Sequence, residues 1–237
     1  MDTDERGYGP SSTQFKSVSI RVYPWSKPNQ FMKHLKTIIL PFLFLTTLSV
    51  GSAQEIKPTE EQITIKWGNV SEEDGVRKVA STEEEYHEHN THGPITYYHV
   101  PFTDGTFSFS WKRDLPQKIN LVFETEENGK RTHLFKVFIN GRPTKDHTTT
   151  DVISFVTYES IPDSKKKKAT VTAEKHHAEA GEWHTTSVNF DGSVATIRVD
   201  DKTFKIEDDR LRNKVIQCGV GHIWGTLETK DVTVTKN

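Results

Sequence analysis

The last third of the chain, from Gly181 to Thr235, constrains the fold more than any other stretch. Its apolar residues alternate with polar ones at a period of two, and no segment carries the 3.6-residue period of an amphipathic helix. Asp191-Gly192 and Asp200-Asp201 interrupt the alternation, and Asp-Gly is a dipeptide that tolerates the positive φ of a two-residue hairpin turn. The stretch therefore predicts a β-meander in which one face of each strand lines a core.

The middle of the chain repeats this pattern. Thr106 to Trp111 places three aromatic side chains on one face and two serines on the other, which predicts that Trp111 lies in the core. Lys118 to Glu124 and Arg131 to Ile139 flank Asn128-Gly129, a second hairpin signal. About a dozen short strands predict an all-β fold, an antiparallel two-sheet jelly-roll sandwich. We expect one such domain over residues 63–237, after a polar lead-in at 54–62.

The segment from Met32 to Ala53 has the composition of a secretory signal peptide. Two lysines precede an apolar run, and Gly51-Ser52-Ala53 offers small residues for cleavage. The run is short and contains Pro41, so it predicts no stable membrane span. Residues 1–31 are then a disordered leader or a start assigned too far upstream. The protein is expected to be exported, to the periplasm or the extracellular space.

The charge balance and the cysteine count narrow the possible partners. Of 31 basic and 33 acidic residues, 25 and 30 follow Ala53, so the exported part is mildly acidic. Such a balance gives no general attraction for nucleic acid. Cys218 is the only cysteine and stands in an apolar run, where a buried small hydrophobe is the favoured interpretation over a nucleophile.

The closing strands resemble those of the concanavalin A-like lectin/glucanase superfamily. The similar features are Gly181-Glu182-Trp183 at a strand start, the Asp191-Gly192 turn, Val199-Asp200-Asp201, and a final strand from Leu227 to Val234. Within that superfamily the chain looks most like secreted bacterial keto-disaccharide hydrolase-like domains. The resemblance implies a jelly-roll sandwich and either glycan binding or hydrolysis of a glycosidic or modified-sugar bond.

The chain departs from the superfamily where hydrolysis would need its carboxylates. Retaining glucanases place an acid and a nucleophile on one strand face in a Glu-x-Asp-x-Glu spacing, which the chain lacks. The family's usual strand ending in Arg appears here as Ile119 to Glu124, with Glu124 in the place of the Arg. If the protein is an enzyme, Glu124 with His133 or Glu85 would supply acid and base.

A divalent metal site is a second hypothesis for the polar segment from Ser81 to Gly93. His87 and His89 are spaced i and i+2, which on a strand would point both imidazoles the same way, with Glu85 close by. The alternative, which we favour, is an exposed loop or a short helical turn capped by Ser81 or Thr82, without metal. No other cofactor is indicated.

Four polar residues are predicted to share one sheet face if the strands around Asn128-Gly129 pair as a hairpin. They are Asn120, Glu124, Arg131 and His133. In a jelly roll this concave face is where a ligand groove would lie, and an ordinary wet sheet face is the alternative. A glycan site also needs aromatic rings for the apolar patches of sugars, and Trp183 and Trp224 are the candidates.

Three functions follow from these patterns. The first is a secreted lectin-like module in which Trp183 stacks on a glycan and Glu124, Arg131 and His133 bond its hydroxyl groups, with Asn120 and Trp224 in the same cleft. The second is a glycoside or 3-keto-disaccharide hydrolase that uses Glu124 and His133. The third is a structural or adhesive exported protein. The sequence favours binding, because it offers no spaced pair of catalytic carboxylates.

Overall fold

The computed structural model describes residues 53–139, 152–160 and 167–237. The predicted leader, and all of the predicted signal peptide except Ala53, lie outside the described residues. All described residues belong to one compact unit. No helix in the described part of the chain has the length and apolar character needed to cross a bilayer.

Strands make up most of the described chain. In chain order they are β1 (Gln54–Ile56), β2 (Ile63–Ile65), β3 (Asn69–Glu73), β4 (Val76–Ser81), β5 (Ile95–Tyr98), β6 (Gly105–Arg113), β7 (Ile119–Glu127), β8 (Lys130–Ile139), β9 (Val152–Ser160), β10 (Lys167–Lys175), β11 (His184–Asp191), β12 (Val194–Val199), β13 (Lys202–Glu207), β14 (Gln217–His222) and β15 (Gly225–Lys236). One α-helix, α1 (Glu83–Glu88), and two 3₁₀ turns at Glu60–Gln62 and Asp209–Arg212 complete the described elements.

The strands form two antiparallel sheets, so the predicted jelly-roll sandwich is confirmed. The eight-stranded sheet has the order β13-β12-β11-β6-β15-β4-β3, with β1 paired to β15. The seven-stranded sheet has the order β10-β9-β8-β7-β14-β5-β2. Sequential neighbours pair through tight turns, such as β7 with β8 through Asn128 and Gly129, both at positive φ. The central strand β14 arrives from far along the chain and joins β7 to β5.

An aromatic core fills the space between the sheets. Phe107 and Phe190 of the eight-stranded sheet meet Phe123 of the seven-stranded sheet, with ring centroids 6.1 and 5.0 Å from it. Trp111 is fully buried, as predicted, and its indole N–H donates to Thr186 Oγ1 at 2.9 Å. Cys218 is also fully buried, and burial raises the pKa of its thiol, which fits the predicted role as a small hydrophobe.

Two local predictions need correction, and a third is decided between its alternatives. The lead-in at 54–62 is not only polar coil, because β1 pairs with the C-terminal part of β15. The Asp191-Gly192 turn is shifted by one residue, since Asp191 pairs with Val194 and leaves Gly192-Ser193 at the tip. Within the segment from Ser81 to Gly93, residues Glu83–Glu88 form α1, capped by Thr82, whose hydroxyl accepts from the Glu85 N–H at 3.1 Å. The helical-turn alternative is therefore the correct one.

His222 links the stability of the sandwich to pH. Its side chain is buried at the end of β14, and its Nε2 lies 3.1 Å from the Gly225 carbonyl oxygen. Burial lowers its pKa from the ordinary 6.5 to about 4. The unfolded chain therefore binds more protons than the folded one between these values, and stability decreases as the pH falls through this range.

We expect the unfolding free energy to fall between pH 7 and pH 4.5 by roughly 2 to 3 kcal/mol on account of His222. Urea titrations at the two pH values measure this change in the unfolding free energy for the wild type and for His222→Gln. The glutamine amide can still donate to the Gly225 carbonyl. Between the two pH values, His222→Gln should lose less unfolding free energy than the wild type, by the amount that His222 contributes. The control His87→Gln changes an exposed histidine and should lose as much as the wild type. Equal losses in wild type and His222→Gln would contradict the assignment.

Candidate functional site

A groove of about 730 Å³ lies over the outer face of the seven-stranded sheet. Its floor comes from β5, β14, β7 and β8, and the segment after α1 supplies one wall with Thr91, His92 and Gly93. This wall lies directly against β14. A Cβ atom on residue 93 would be only 1.7 Å from the His222 carbonyl oxygen, so this close approach requires a glycine. The outer face of the eight-stranded sheet carries smaller depressions, of about 280 and 400 Å³.

The four polar residues predicted to share one sheet face all line this groove. Glu124 pairs directly with His133 across β7 and β8, and Arg131 and Asn120 lie on the same face. The prediction that the Asn128-Gly129 hairpin brings them together is therefore right in its geometry. Their function in ligand binding stays a prediction.

Glu124 is the centre of a buried polar cluster at one end of the groove. Its side chain is only 5% exposed. Arg131 Nε lies 3.1 Å from Oε2, His133 Nδ1 lies 3.1 Å from Oε1, and the Gln217 amide donates to Oε2. Oε2 thus accepts a hydrogen bond and lies beside a guanidinium group, and Oε1 has His133 at ion-pair distance, as the burial of a charged group requires.

These partners keep Glu124 ionised. Burial by itself would raise the pKa of this carboxyl group, but His133, Arg131 and Gln217 together outweigh it, and the pKa lies below its ordinary value of 4.5. A general acid must hold a proton at working pH, so Glu124 is poorly suited to that role. It is better suited to fixing the orientation of Arg131 and His133.

A β-bulge decides which residues of β8 reach the groove. The register changes between Phe123, which pairs with Phe135, and Glu124, which pairs with His133, so Leu134 is the extra residue. Leu134 and Phe135 both enter the core. The alternation beyond them is inverted, and Lys136 and Phe138 therefore line the groove.

Two glycines on β14 allow residues 94–97 to lie close to this strand, and Gly219 makes room for an aromatic ring on the groove floor. A Cβ atom on Gly219 would lie 3.0 Å from the Tyr97 ring, and one on Gly221 would lie 2.6 Å from the Pro94 carbonyl oxygen. The half-buried Tyr97 ring therefore occupies the space above Gly219, its partner in the β5–β14 register. The guanidinium carbon of Arg131 lies 5.6 Å from the centre of this ring.

The two tryptophans predicted to stack on a sugar do not line the groove, so the prediction that they share its cleft is wrong. Trp183 is 38% exposed, as predicted, but it lies on the outer face of the eight-stranded sheet, beside Lys112 and Lys230, whose ammonium groups are 5.2 and 4.2 Å from its ring centre. Trp224 is buried and packs against Tyr86, with ring centroids 5.2 Å apart. The strand after Trp183 pairs with β6, which assigns it to the other sheet.

The predicted metal ligands do not converge. His87 and His89 lie on or beside α1, where positions i and i+2 are about 200° apart, so the expectation that they point the same way is wrong. His89 stacks on Trp67 at 4.2 Å, His87 lies 3.8 Å from Glu83, and Glu85 accepts from the Thr82 N–H. Among the described residues no three His, Cys, Asp or Glu side chains are placed to hold a metal ion.

Two residues were missed in the sequence, Tyr97 in the groove and Gln217 in the cluster around Glu124. The signal for both was present in the outward positions of two strands, Tyr97 on β5 and Gln217 on β14. The Gly-x-Gly of β14 was the further indication that something large packs over this strand. Neither signal could be used without knowing that β14 lies between β5 and β7.

No protein-family model and no curated protein sequence matches the chain. Solved structures with a similar backbone include the carbohydrate-binding module CBM66 from Bacillus subtilis, with 14% identity and a TM-score of 0.44 over 74% of this chain and 92% of that one. Another is LamAcat from Zobellia galactanivorans, with 12% identity and a TM-score of 0.48 over 71% and 80%. A third is a homodimeric agglutinin from chicken liver, with 9% identity and a TM-score of 0.42 over 57% and 95%.

We expect Glu124→Gln to lower the free energy of unfolding at pH 7 by roughly 1 to 3 kcal/mol, because the amide turns a donor towards partners that themselves donate. Glu126→Gln, an exposed position on the same strand, is the control and should change it by less than about 0.5 kcal/mol. Because the folded pKa of Glu124 is lowered, its contribution is present above pH 4.5 and is lost as the pH falls through the folded value. Urea titrations from pH 7 downwards measure the free energy of unfolding of both variants. Equal values for Glu124→Gln and Glu126→Gln at every pH would contradict the assignment.

Proposed function

We propose that the protein binds a carbohydrate in the groove of the seven-stranded sheet. The observation that carries the proposal is the Tyr97 ring on the groove floor, with Arg131 beside it and Asn120 and His133 on neighbouring strands. A sugar presents an apolar face to an aromatic ring and its hydroxyl groups to planar polar side chains. The groove supplies both within one open surface.

The polar groups differ in what they can offer a ligand. Arg131 keeps 55% of its side chain exposed, although its Nε faces Glu124 and its Nη1 lies 3.5 Å from Gln217 Oε1. The guanidinium group carries five N–H donors, so these two contacts leave others for a ligand. The Asn120 side chain is half-buried in the groove lining, and an amide group can both donate to and accept from a sugar hydroxyl group. Burial raises the pKa of the Tyr97 phenol, so its ring stays neutral at physiological pH.

Binding is better supported than hydrolysis. A glycosidase of the common type needs two carboxyl groups flanking the bond. Among the described residues that line the groove, Glu124 is the only carboxylate, and its oxygens face protein partners. We therefore assign Glu124 as a positioning residue for Arg131 and His133. We further propose that the protein acts after export, as the signal-peptide composition of residues 32–53 predicts.

Tyr97→Ala should weaken glycan binding at least tenfold, because it removes the only aromatic side chain that lies directly on the β14 floor among the described residues. A glycan array identifies the ligand, and calorimetry with that ligand measures the affinities of the wild type and the variant. Trp183→Ala removes an exposed aromatic ring from the other sheet and should leave the affinity unchanged. The reverse result, loss with Trp183→Ala and none with Tyr97→Ala, would move the site to the other face.

Hydrolysis of the bound ligand should be undetectable. The test is to incubate the protein with the ligand found on the array, and with 3-keto and ordinary disaccharides, and to follow the release of reducing sugar. Turnover that disappears in Glu124→Gln, while calorimetry shows that the variant still binds, would establish the hydrolase instead. Absence of both turnover and binding would reject the carbohydrate proposal itself.

A further inference from the structure

The strand β10 is an open edge of the sheet that carries the groove. It is the terminal strand of the seven-stranded sheet and pairs with β9 along all nine of its residues without a register shift. Its other side has no strand partner within the described residues. The other terminal strands, β2, β3 and β13, have three, five and six residues. A long terminal strand leaves a row of unpaired backbone N–H and C=O groups, to which a further strand can bind.

This edge lacks several features that usually protect a terminal strand. The sequence of β10 contains neither proline nor glycine, and its side chains from Lys168 to Lys175 are all exposed. Val171, at the centre of the strand, is 55% exposed. Lysines on an edge strand normally keep other chains away. Here Lys168 near one end is matched by Glu174 near the other, so the strand is complementary in charge to a second copy of itself that runs in the opposite direction.

Two-fold symmetry selects the register of such a pair of strands. When two identical edges pair antiparallel, the two-fold axis is normal to the sheet, so each face of one copy continues into the same face of the other. Side chains that meet must therefore lie on the same face of β10, and Glu174 can face position 168 but not position 167. With the axis at Val171 the opposed pairs are Lys168 with Glu174, Ala169 with Ala173, Thr170 with Thr172, and Val171 with its own copy.

Each of the two charged residues gains a partner in this register. Within the chain Glu174 lies opposite Ile153 of β9, which offers it no cation. Lys168 lies opposite Glu159, whose carboxylate is 4.0 Å from Arg210 Nη1. Between two copies each Lys168 would meet the Glu174 of the other copy, and the two-fold axis makes that contact twice. Opposite charges directly across an antiparallel pair stabilise it, and so do paired threonines.

We propose that the protein forms a two-fold dimer in which the β10 strands of two copies pair antiparallel about Val171. Beyond the opposed pairs Lys175 falls opposite position 167, where like charges would meet, so the paired segment is expected to span residues 168–174. Such a strand pair makes a small interface, and we expect a dimer that dissociates on dilution into the micromolar range. The two seven-stranded sheets would form one continuous sheet.

The dimer would present both grooves on one side. A two-fold axis normal to the sheet leaves the outer faces of the two seven-stranded sheets on the same side. The order β8-β9-β10 places five interstrand spacings of about 4.8 Å between the two β8 strands, a distance of roughly 24 Å. Two carbohydrate sites this far apart can bind one polymer or one glycan-coated surface together, which raises the effective affinity. This consequence rests on the carbohydrate-binding function proposed above, whereas the dimer itself does not.

Sedimentation velocity of the protein from 1 to 200 µM at 20 mM NaCl tests the dimer. The wild type should pass from monomer to dimer over this range. Lys168→Glu places a carboxylate opposite Glu174, and Glu174→Lys places an ammonium group opposite Lys168, so each variant alone should raise the dissociation constant of the dimer at least tenfold. An equimolar mixture of the two variants should recover the dimer, because each copy then meets the opposite charge in the other.

Lys202→Glu is the matched control, since it reverses the charge of an exposed lysine on β13, a terminal strand of the other sheet. It should dimerise as the wild type does. A wild type that stays monomeric at 200 µM would overturn the inference, as would a dimer that either single variant retains or that Lys202→Glu loses. Failure of the mixture to recover the dimer would overturn it too, because the register about Val171 requires that recovery. Circular dichroism and melting temperatures establish that each variant remains folded.

Retention on a glycan-coated surface separates this inference from the proposed function. Wild type and Lys168→Glu should bind a short soluble glycan with equal affinity by calorimetry, because Lys168 does not line the groove. From a surface coated with the same glycan, the wild type should dissociate at least tenfold more slowly, since only the dimer can bind through two grooves. Equal dissociation rates would reject two-site binding. A dimer that binds no glycan would reject the proposed function and leave the dimer in place.

Discussion

The sandwich depends on a contact between phenylalanine rings of opposite sheets. Phe190 packs against Phe123 and Phe135 with centroids 5.0 and 6.0 Å apart, and Phe107 approaches Phe123 at 6.1 Å. Edge-on contacts of this kind add to the apolar burial that drives the sheets together. Because β-strand side chains alternate, fixing Phe123 in the core also fixes Glu124 on the outer face. The groove is therefore a consequence of the core.

The bulge at Leu134 means that the core also determines which side chains of β8 face the groove. With an unbroken register, β8 would continue its alternation from His133 and turn Phe135 outwards. Instead Leu134 and Phe135 both enter the core, and the two strands change register by one residue. Lys136 faces outwards for that reason. The extra residue thus turns Phe135 into the core and Lys136 towards the groove.

Local patterns predicted the elements and their faces, but not the order of strands in the sheets. Period-two alternation placed Trp111 in the core, and the Asn128-Gly129 hairpin placed Glu124 opposite His133. The direction in which Trp183 faces was also readable, since its neighbour His184 points inwards. The sheet on which Trp183 lies could not be predicted from the sequence. It follows from the pairing of β11 with β6, about 80 residues earlier in the chain, and no local signal encodes such a pairing. Tyr97 was missed for the same reason.

The helix shows how capping chemistry decided between two predictions for one segment, a strand-like spacing of histidines and a capped helical turn. Thr82 and Glu85 form a capping box that starts α1, and the helix separates the two histidines that a strand would have aligned. The groove differs because its polar groups come from long strands locked by the core on one side. Their positions do not depend on a flexible segment. A cluster of this kind can hold a buried carboxylate with Arg131 and His133 fixed beside it, so a ligand would meet these groups in a fixed orientation.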